Sequence, residues 1–184
     1  LKKAISQNEK IGIFADSDLD GLTSLTILNS LFQKFKCETY CRYLKDDETY
    51  GIKEYMIDEF KENGVSLIIT VDSGIRDVNI ISYAKENLID VIITDHHEPA
   101  EELPDCLIVN PKVHESNYPF KELAGVGVAF KLAHGLLLSY SSSYQSEFHL
   151  LFEKNGLYDY KVISNLIVIK EFYNIDIDYI VEQI

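Results

Sequence analysis

Acidic and histidine residues follow three apolar stretches of this sequence, where they are placed to bind metal ions. They are Asp16, Asp18, Asp20, Asp72, Asp95, His96 and His97. Carboxylates and imidazoles without a thiolate favour Mn²⁺ or Mg²⁺ over a structural zinc ion. Two such ions, about 3.5 to 4 Å apart, clamp the attacking and leaving oxygens of a phosphoryl group and need a bridging carboxylate. Asp72 stands alone after its apolar stretch and is the natural bridge.

Five short apolar runs predict the strands that position these residues. The runs cover 11–15, 39–44, 67–71, 91–94 and 107–109. Between them, apolar residues recur at helical spacing, as Ile81, Ala84 and Leu88 do in one case. This alternation predicts an α/β fold with a doubly wound, mostly parallel five-stranded sheet flanked by helices. The carboxyl ends of parallel strands lie at one edge of the sheet, so the scattered acids and histidines can converge there.

The aspartate-rich stretch after the first run permits more than one interpretation. An EF-hand loop that starts at Asp16 requires a Glu at its twelfth position, where this chain has Ile27. A turn rich in aspartate remains an alternative. Because Asp18 and Asp20 alternate with Leu19, an extended segment would direct both carboxylates toward the site and pack Leu19 behind them.

Composition limits the function classes. The 184 residues include 17 basic and 30 acidic ones, and the net charge of −13 is opposite to that of a free-standing nucleic-acid binder. Bound cations or another domain would therefore have to handle phosphate. Three cysteines indicate small buried side chains in a reducing compartment. No apolar stretch approaches the roughly 18 residues of a membrane span. We expect a cytoplasmic protein without membrane contacts.

Two glycines precede a predicted helix further along the chain. Free N–H groups at the start of a helix bind phosphate, so Gly125 and Gly127 are candidates for a terminal phosphate site, and a close-packed turn is the alternative. Lys131, one turn into that helix, either reaches an anion or faces water.

Five motifs, taken in order, resemble those of the DHH phosphoesterase superfamily. They are Asp-x-Asp-x-Asp-Gly at 16–21, Val-Asp-Ser-Gly at 71–74, Thr-Asp-His-His-Glu-Pro at 94–99, Val-Asn-Pro-Lys at 109–112, and Leu-Ala-Gly-Val-Gly-Val-Ala-Phe-Lys at 123–131. The set covers about 11–138 and is most similar to the catalytic core of the RecJ single-strand-specific exonucleases. Each motif alone is weak evidence for this resemblance, whereas all five in this order are specific evidence for it.

The resemblance implies roles for individual residues. Asp18, Asp20, Asp72 and His96 match positions that bind a Mn²⁺ pair, with Asp16 close by. His97 matches the histidine near the scissile phosphate. Asp95 is expected to fix a liganding imidazole by accepting its other N–H. Ser73, Gly125, Gly127 and Lys131 are predicted to contact phosphate. The implied reaction is attack of a metal-activated water on single-stranded DNA, with Mg²⁺ as the alternative ion and DNA repair or replication proteins as partners.

The sequence departs from the family pattern at two expected ligand positions. Phe14 replaces a histidine, so one ion should bind more weakly unless Asp16 substitutes, and Val168 falls where a last aspartate is usual. Milder changes are Glu48-Thr49-Tyr50-Gly51 in place of Glu-Gly-Tyr-Gly, and Lys45 in place of Arg. A catalytically degenerate domain that serves as a scaffold or single-strand binder is therefore the second hypothesis. Oligonucleotides or cyclic dinucleotides are alternative substrates, and a generic nucleotide-binding domain ranks last.

The region after the fifth motif lacks the strand pattern. We expect a loop or hinge at 139–146 and helices at 148–152, 162–172 and 176–184. The predicted organisation is a DHH phosphoesterase domain at 1–138 and a helical extension of it at 139–184. The chain is expected to be a fragment of a longer protein, and this fragment is expected to lack the carboxyl-terminal DHH-associated domain.

Overall fold

Five of the apolar stretches form one parallel sheet, as predicted. In the computed structural model, which describes residues 1–45, 47–141, 147–154, 157–164 and 167–175, the sheet has the order β2-β1-β3-β4-β5. Its strands are β1 (Ile11–Ala15), β2 (Thr39–Tyr43), β3 (Leu67–Val71), β4 (Asp90–Thr94) and β5 (Leu107–Val109). Every residue of β1 and β3 is buried, which fits central strands covered on both faces.

Helices connect and cover the strands. They are α1 (Lys2–Ser6), α2 (Leu19–Lys34), α3 (Glu54–Glu62), α4 (Val78–Glu86) and α5 (Gly125–Tyr140). The prediction that Leu88 continues the buried face of α4 is wrong, because α4 ends at Glu86 and Leu88 adopts a positive φ in the exit turn. Leu88 is 89% exposed, and Ile89 is buried instead. None of the helices among the described residues is long and apolar enough to cross a membrane.

A cluster of large apolar side chains fills the space between the sheet and α3 and α4. Phe14, Met56, Phe60 and Ile68 are fully buried in it. Gly12 lets Phe60 approach, because a Cβ at Gly12 would lie 2.7 Å from the Phe60 ring. Burial of each such side chain stabilises the fold by about 1.5 to 3 kcal/mol. This cluster explains the stability of the sheet whose carboxyl edge bears the acids and histidines.

The aspartate-rich stretch is the start of a helix rather than an extended segment, which corrects that expectation. Asp18 is the N-cap of α2, and its Oδ1 accepts the N–H of Gly21 at 2.8 Å. Such a cap satisfies a helix N–H that would otherwise lack a partner. Leu19 does not pack behind the acids, since it is 79% exposed. Gly21 is required here because a Cβ would lie 2.5 Å from the carbonyl oxygen of Asp16.

The cysteines are less buried than predicted. All three are free thiols, and Cys41 is exposed because it lies on β2, the edge strand of the sheet. Cys37 and Cys106 are half-buried.

The chain divides into two units, Leu1–His134 and Gly135–Ile184. The second unit contains the end of α5 and an antiparallel sheet in the order β6-β7-β8. These strands are β6 (Glu147–Lys154), β7 (Leu157–Ser164) and β8 (Ile167–Ile175).

The predicted helical extension is therefore wrong where the structure describes it, because 148–152 lie in β6, 162–164 in β7 and 167–172 in β8. Short apolar runs do not distinguish a helix from a strand by periodicity alone. Val162, Ile163 and Phe172 are β-branched or aromatic residues, which favour strands, and pairing in the antiparallel sheet decides the outcome. The predicted loop at 139–146 begins later than expected, because α5 continues to Tyr140. The predicted helix at 176–184 and the rest of that loop, 142–146, lie outside the described residues.

Candidate metal centre

Adjacent parallel strands bring the predicted ligands to one edge of the sheet. β3 pairs with β1 on one side and with β4 on the other, so the residues that follow all three strands are neighbours. Asp72 directly follows the central strand β3, and its N–H donates to the carbonyl oxygen of Thr94 at 2.9 Å. Sheet topology thus places Asp72 between the aspartates after β1 and the histidines after β4.

Asp72 is a buried carboxylate with an unsatisfied oxygen. The residue is 2% exposed, and its Oδ1 accepts no hydrogen bond from the described part of the chain, although Nε2 of His96 lies 3.1 Å away. Burial first, and then the charges of Asp20 and Asp18, raise the pKa of Asp72 to about 8. The backbone also adopts a positive φ of 56° here. A buried, unpaired carboxylate among other acids is costly for the protein alone and fits a position that a cation occupies.

Two groups of three residues bring ligand atoms within 4.8 Å of one another. One consists of Asp16, Asp18 and Asp72, and the other of Asp72, His96 and His97. Asp72 is common to both groups, as a bridging ligand must be. The donors are carboxylates and imidazoles without a thiolate, which suits Mn²⁺ or Mg²⁺. The residues present therefore fit a pair of divalent ions.

Asp20 belongs to neither group, although it was predicted as a ligand. Its carboxylate accepts the N–H groups of Gly125 and Val126, each at 2.7 Å, and so caps the start of α5. Its Oδ2 lies 3.7 Å from Nε2 of His96. In this structure Asp20 joins the start of α2 to the start of α5 beside Asp72.

The predicted phosphate site at the start of α5 is occupied by that carboxylate. The N–H of Gly125 donates to Asp20, and the N–H of Gly127 donates to the carbonyl oxygen of Ala124 at 2.9 Å. A Cβ at Gly125 would lie 2.5 Å from Oδ1 of Asp72. Gly125 therefore allows the start of α5 to approach the centre. Of the two alternatives from the sequence, a phosphate site or a close-packed turn, this geometry is that of the close-packed turn.

Asp95 orients one histidine of the pair. It is fully buried, its Oδ1 lies 2.7 Å from Nδ1 of His97, and its Oδ2 accepts the N–H of Ile75 at 3.0 Å. Its Oδ1 also accepts the backbone N–H groups of His96 and His97. A carboxylate oxygen only accepts, so Nδ1 of His97 carries the proton of this hydrogen bond, and Nε2 is the ring nitrogen left for other partners. Asp95 thus fixes His97, whereas Nε2 of His96 faces Asp72.

The two remaining predicted phosphate contacts are placed differently. Ser73 is fully buried, and its hydroxyl donates to the carbonyl oxygen of Val71 at 3.3 Å. Lys131 is exposed and borders a cavity of about 400 Å³ together with Tyr118 and Leu123. Contact of either residue with substrate stays a prediction.

Sequence reasoning missed two side chains that contact His97. Asn110 is buried, its Nδ2 donates to the carbonyl oxygen of His97 at 3.0 Å, and its Oδ1 accepts the N–H of Lys112. The ring of Tyr50 meets the ring of His97 edge-on, with centroids 6.1 Å apart. In the sequence, these two residues belong to the motifs at 48–51 and 109–112. Neither motif has the apolar periodicity of a helix or a strand, so no other pattern pointed to them.

The two positions that lack an expected ligand are also placed. Phe14 is fully buried in the apolar cluster, and it lies on β1 two residues before Asp16. Its side chain provides no ligand atom. Val168 lies in β8, where it pairs with Ile163.

Known proteins resemble most of this chain. Residues 10–155 match the DHH family, N-terminal domain. The single-stranded-DNA-specific exonuclease RecJ of Bacillus subtilis (strain 168) is 54% identical over 140 residues, which are 74% of this chain and 18% of that protein. RecJ of Escherichia coli (strain K12) is 36% identical over 135 residues, which are 72% of this chain and 23% of that protein.

Two solved structures share the fold of this chain. A crystal structure of exonuclease RecJ bound to manganese superimposes with a TM-score of 0.66 at 32% identity, over 72% of this chain and 34% of that one. RecJ from Thermus thermophilus in complex with Mn²⁺ gives a TM-score of 0.61 at 30% identity, over 72% and 18% of the two chains. The chain spans about a fifth of the length of the curated relatives cited above. Sequence, fold and the order of its motifs show that this chain belongs to the DHH family.

Proposed function

We propose that this chain is the metal-binding catalytic part of a RecJ-like exonuclease that hydrolyses single-stranded DNA. The observation that carries the proposal is Asp72, a buried carboxylate shared by two groups of ligand atoms. The RecJ relatives, two of which have been crystallised with manganese, support the choice of ion and substrate. We assign this role to residues 1–138.

Four side chains would hold the ions. They are Asp16, Asp18, Asp72 and His96. Bound divalent ions supply Lewis-acid activation of water and neutralise charge on the phosphate, and we propose two Mn²⁺ ions, with Mg²⁺ as the alternative. Asp16 joins the group that loses a ligand at Phe14, which supports its role as a substitute. The ion on that side would bind more weakly only if Asp16 did not take the place of the missing histidine.

The protein's own groups orient the reacting atoms. Asp95 holds Nδ1 of His97, so Nε2, when it carries a proton, can donate to the phosphate or to the leaving oxygen. Asp20 contributes by holding α5 against the centre. The net charge of −13 would repel DNA in the absence of cations, so we infer that bound ions and parts of the full-length protein make the phosphate contacts. We also propose a cytoplasmic location and partners in DNA repair or replication.

Hydrolysis of labelled DNA tests the proposal. The full-length protein that contains this chain is incubated with Mn²⁺ and an end-labelled single-stranded oligonucleotide, and a duplex and a cyclic dinucleotide serve as comparison substrates. Asp72→Ala should abolish release of nucleotides, whereas Asp105→Ala should not, because Asp105 is exposed and pairs with Lys85 away from the centre. Equal activity of the two variants would refute the proposal, and preference for the cyclic dinucleotide would change the substrate.

A scaffold or single-strand-binding domain without catalysis is the second candidate. The observation that favours it is Phe14, which fills the apolar core where the family has a metal-binding histidine. Calorimetric titration with Mn²⁺ distinguishes the two functions. Two equivalents of tightly bound Mn²⁺ would argue against the scaffold, and binding of single-stranded DNA without any bound metal would favour it.

A further inference from the structure

The loop between β2 and α3 closes one side of the candidate centre. This β2–α3 loop, residues 47–53, carries Tyr50, whose ring lies edge-on against His97 at 6.1 Å and 75°. We propose that Asp77 is a positioning residue that holds the β2–α3 loop, and with it Tyr50, against His97. The claim that Asp77 holds the loop does not depend on what the protein does, whereas its effect on catalysis rests on the proposed function.

Asp77 reaches away from its own helix. It is the N-cap of α4, yet its side chain makes no capping hydrogen bond there. Instead its Oδ2 accepts the N–H of Ile52 at 3.3 Å, 25 residues earlier in the chain. Ile52 is 1% exposed, so its N–H has little access to water. The carboxylate therefore connects α4 to the end of the β2–α3 loop.

The neighbouring glycine fits this contact. Gly51 has a φ of +85°, and a Cβ there would lie 3.0 Å from Oδ1 and 3.3 Å from Oδ2 of Asp77. A side chain at this position would push the loop away from the carboxylate, in addition to the strain of a positive φ. Gly51 directly follows Tyr50, so the contact fixes the backbone next to the aromatic ring.

The N–H of Ile52 is one of two groups that stabilise the charge of the buried Asp77 carboxylate. Burial raises the pKa of Asp77, the N–H of Ile52 and the charge of Lys53 lower it, and Asp95 raises it. Asp77, Tyr50 and His97 line one cavity of about 350 Å³. The carboxylate thus lies beside the centre without belonging to either group of ligand atoms.

The arrangement restrains His97 from two directions. Asp95 holds Nδ1 of the ring, and Tyr50 contacts the ring edge-on. The other end of the loop is held separately, because Glu48 pairs with the buried guanidinium of Arg42. Loss of the Asp77 contact should therefore free the end of the loop next to Tyr50 and leave the rest in place.

Nuclear magnetic resonance of the full chain without metal tests whether Asp77 holds the loop. Asp77→Ala should increase hydrogen exchange of the Ile52 amide about tenfold, as expected for one hydrogen bond, and should weaken the contact between the rings of Tyr50 and His97. Asp77→Asn keeps an acceptor oxygen and should restore both. If Asp77→Ala fails to fold, Gly51→Ala is the second test. It leaves the carboxylate intact but displaces the loop, so it should also speed exchange of the Ile52 amide and weaken the contact between the two rings. Asp105→Ala is the matched control.

Kinetics test the catalytic consequence. Asp77→Ala should lower kcat several-fold with little change in KM or in Mn²⁺ binding, because it loosens His97 and leaves the four side chains that would hold the ions in place. Unchanged Ile52 exchange and an unchanged ring contact in Asp77→Ala would overturn the positioning role, as would an Asp77→Asn variant that behaves like Asp77→Ala. If the full-length protein hydrolyses no DNA, the proposed function fails, whereas the resonance measurements still decide the role of Asp77.

Discussion

Replacement of Asp72 by asparagine should stabilise the metal-free protein and abolish its stabilisation by Mn²⁺. Asparagine has the shape of the carboxyl group but carries no charge. The wild-type side chain is 2% exposed, lies among other acids and has one oxygen without a donor. The same replacement removes a charged ligand from both groups of ligand atoms. Stability and metal binding should therefore change in opposite directions.

The structure sets the size of the first effect. The pKa of Asp72 rises from 3.8 to about 8 in the folded protein. Between those values the folded state binds a proton that the unfolded state has lost, so the free energy of unfolding falls by about 1.4 kcal/mol per pH unit as the pH rises toward 8. At pH 7 the accumulated loss is on the order of 4 kcal/mol at most. Asp72→Asn does not suffer this loss.

Urea unfolding at pH 5, 7 and 8, with a chelator and with Mn²⁺, measures both effects. In the chelator, the stability of the wild type should decline with pH relative to Asp72→Asn. An ion at a hundred times its Kd should add about 2.7 kcal/mol to the wild type and almost nothing to the variant. Asp105→Asn, at an exposed position, serves as the control. A variant less stable than the wild type at pH 8 in the chelator, or equally stabilised by Mn²⁺, would refute the reasoning.

Three further predictions concern metal binding and the fold. Mn²⁺ affinity should tighten up to about tenfold per pH unit between pH 6 and 8 and level off above, because the ion displaces the proton of Asp72; a flat calorimetric profile would contradict this. Gly125→Ala should weaken Mn²⁺ binding with the fold retained, since its Cβ would lie 2.5 Å from Oδ1 of Asp72, whereas Gly135→Ala, with nothing within 4 Å, should bind normally. Arg42→Met leaves two carboxylates without their buried cation and should cost about 3 to 5 kcal/mol in urea unfolding; a loss below about 1 kcal/mol would show that the pairs are dispensable.

Local patterns in the sequence were sufficient for the parallel sheet of the first unit. Buried parallel strands are continuous apolar runs, so β1 and β3 were predicted to the residue. The polar residue that ends such a run must lie at the carboxyl edge, which is why Asp72 and His96 were recognisable. The same approach failed at 148–152, 162–164 and 167–172, because short apolar runs suit both helix and strand until pairing partners are known.

The sequence by itself determined which elements form the sheet and which residue types reach its carboxyl edge, because both depend on local periodicity and strand direction. Tertiary structure alone decided how those residues are used. Asp20, expected to bind metal, accepts two N–H groups from a helix that begins over 100 residues later. The carboxylate of Asp77, at the N-cap of α4, accepts the N–H of Ile52 rather than one of its own helix. A carboxylate binds whichever donors the fold brings within about 3 Å, and no local pattern specifies donors distant in sequence.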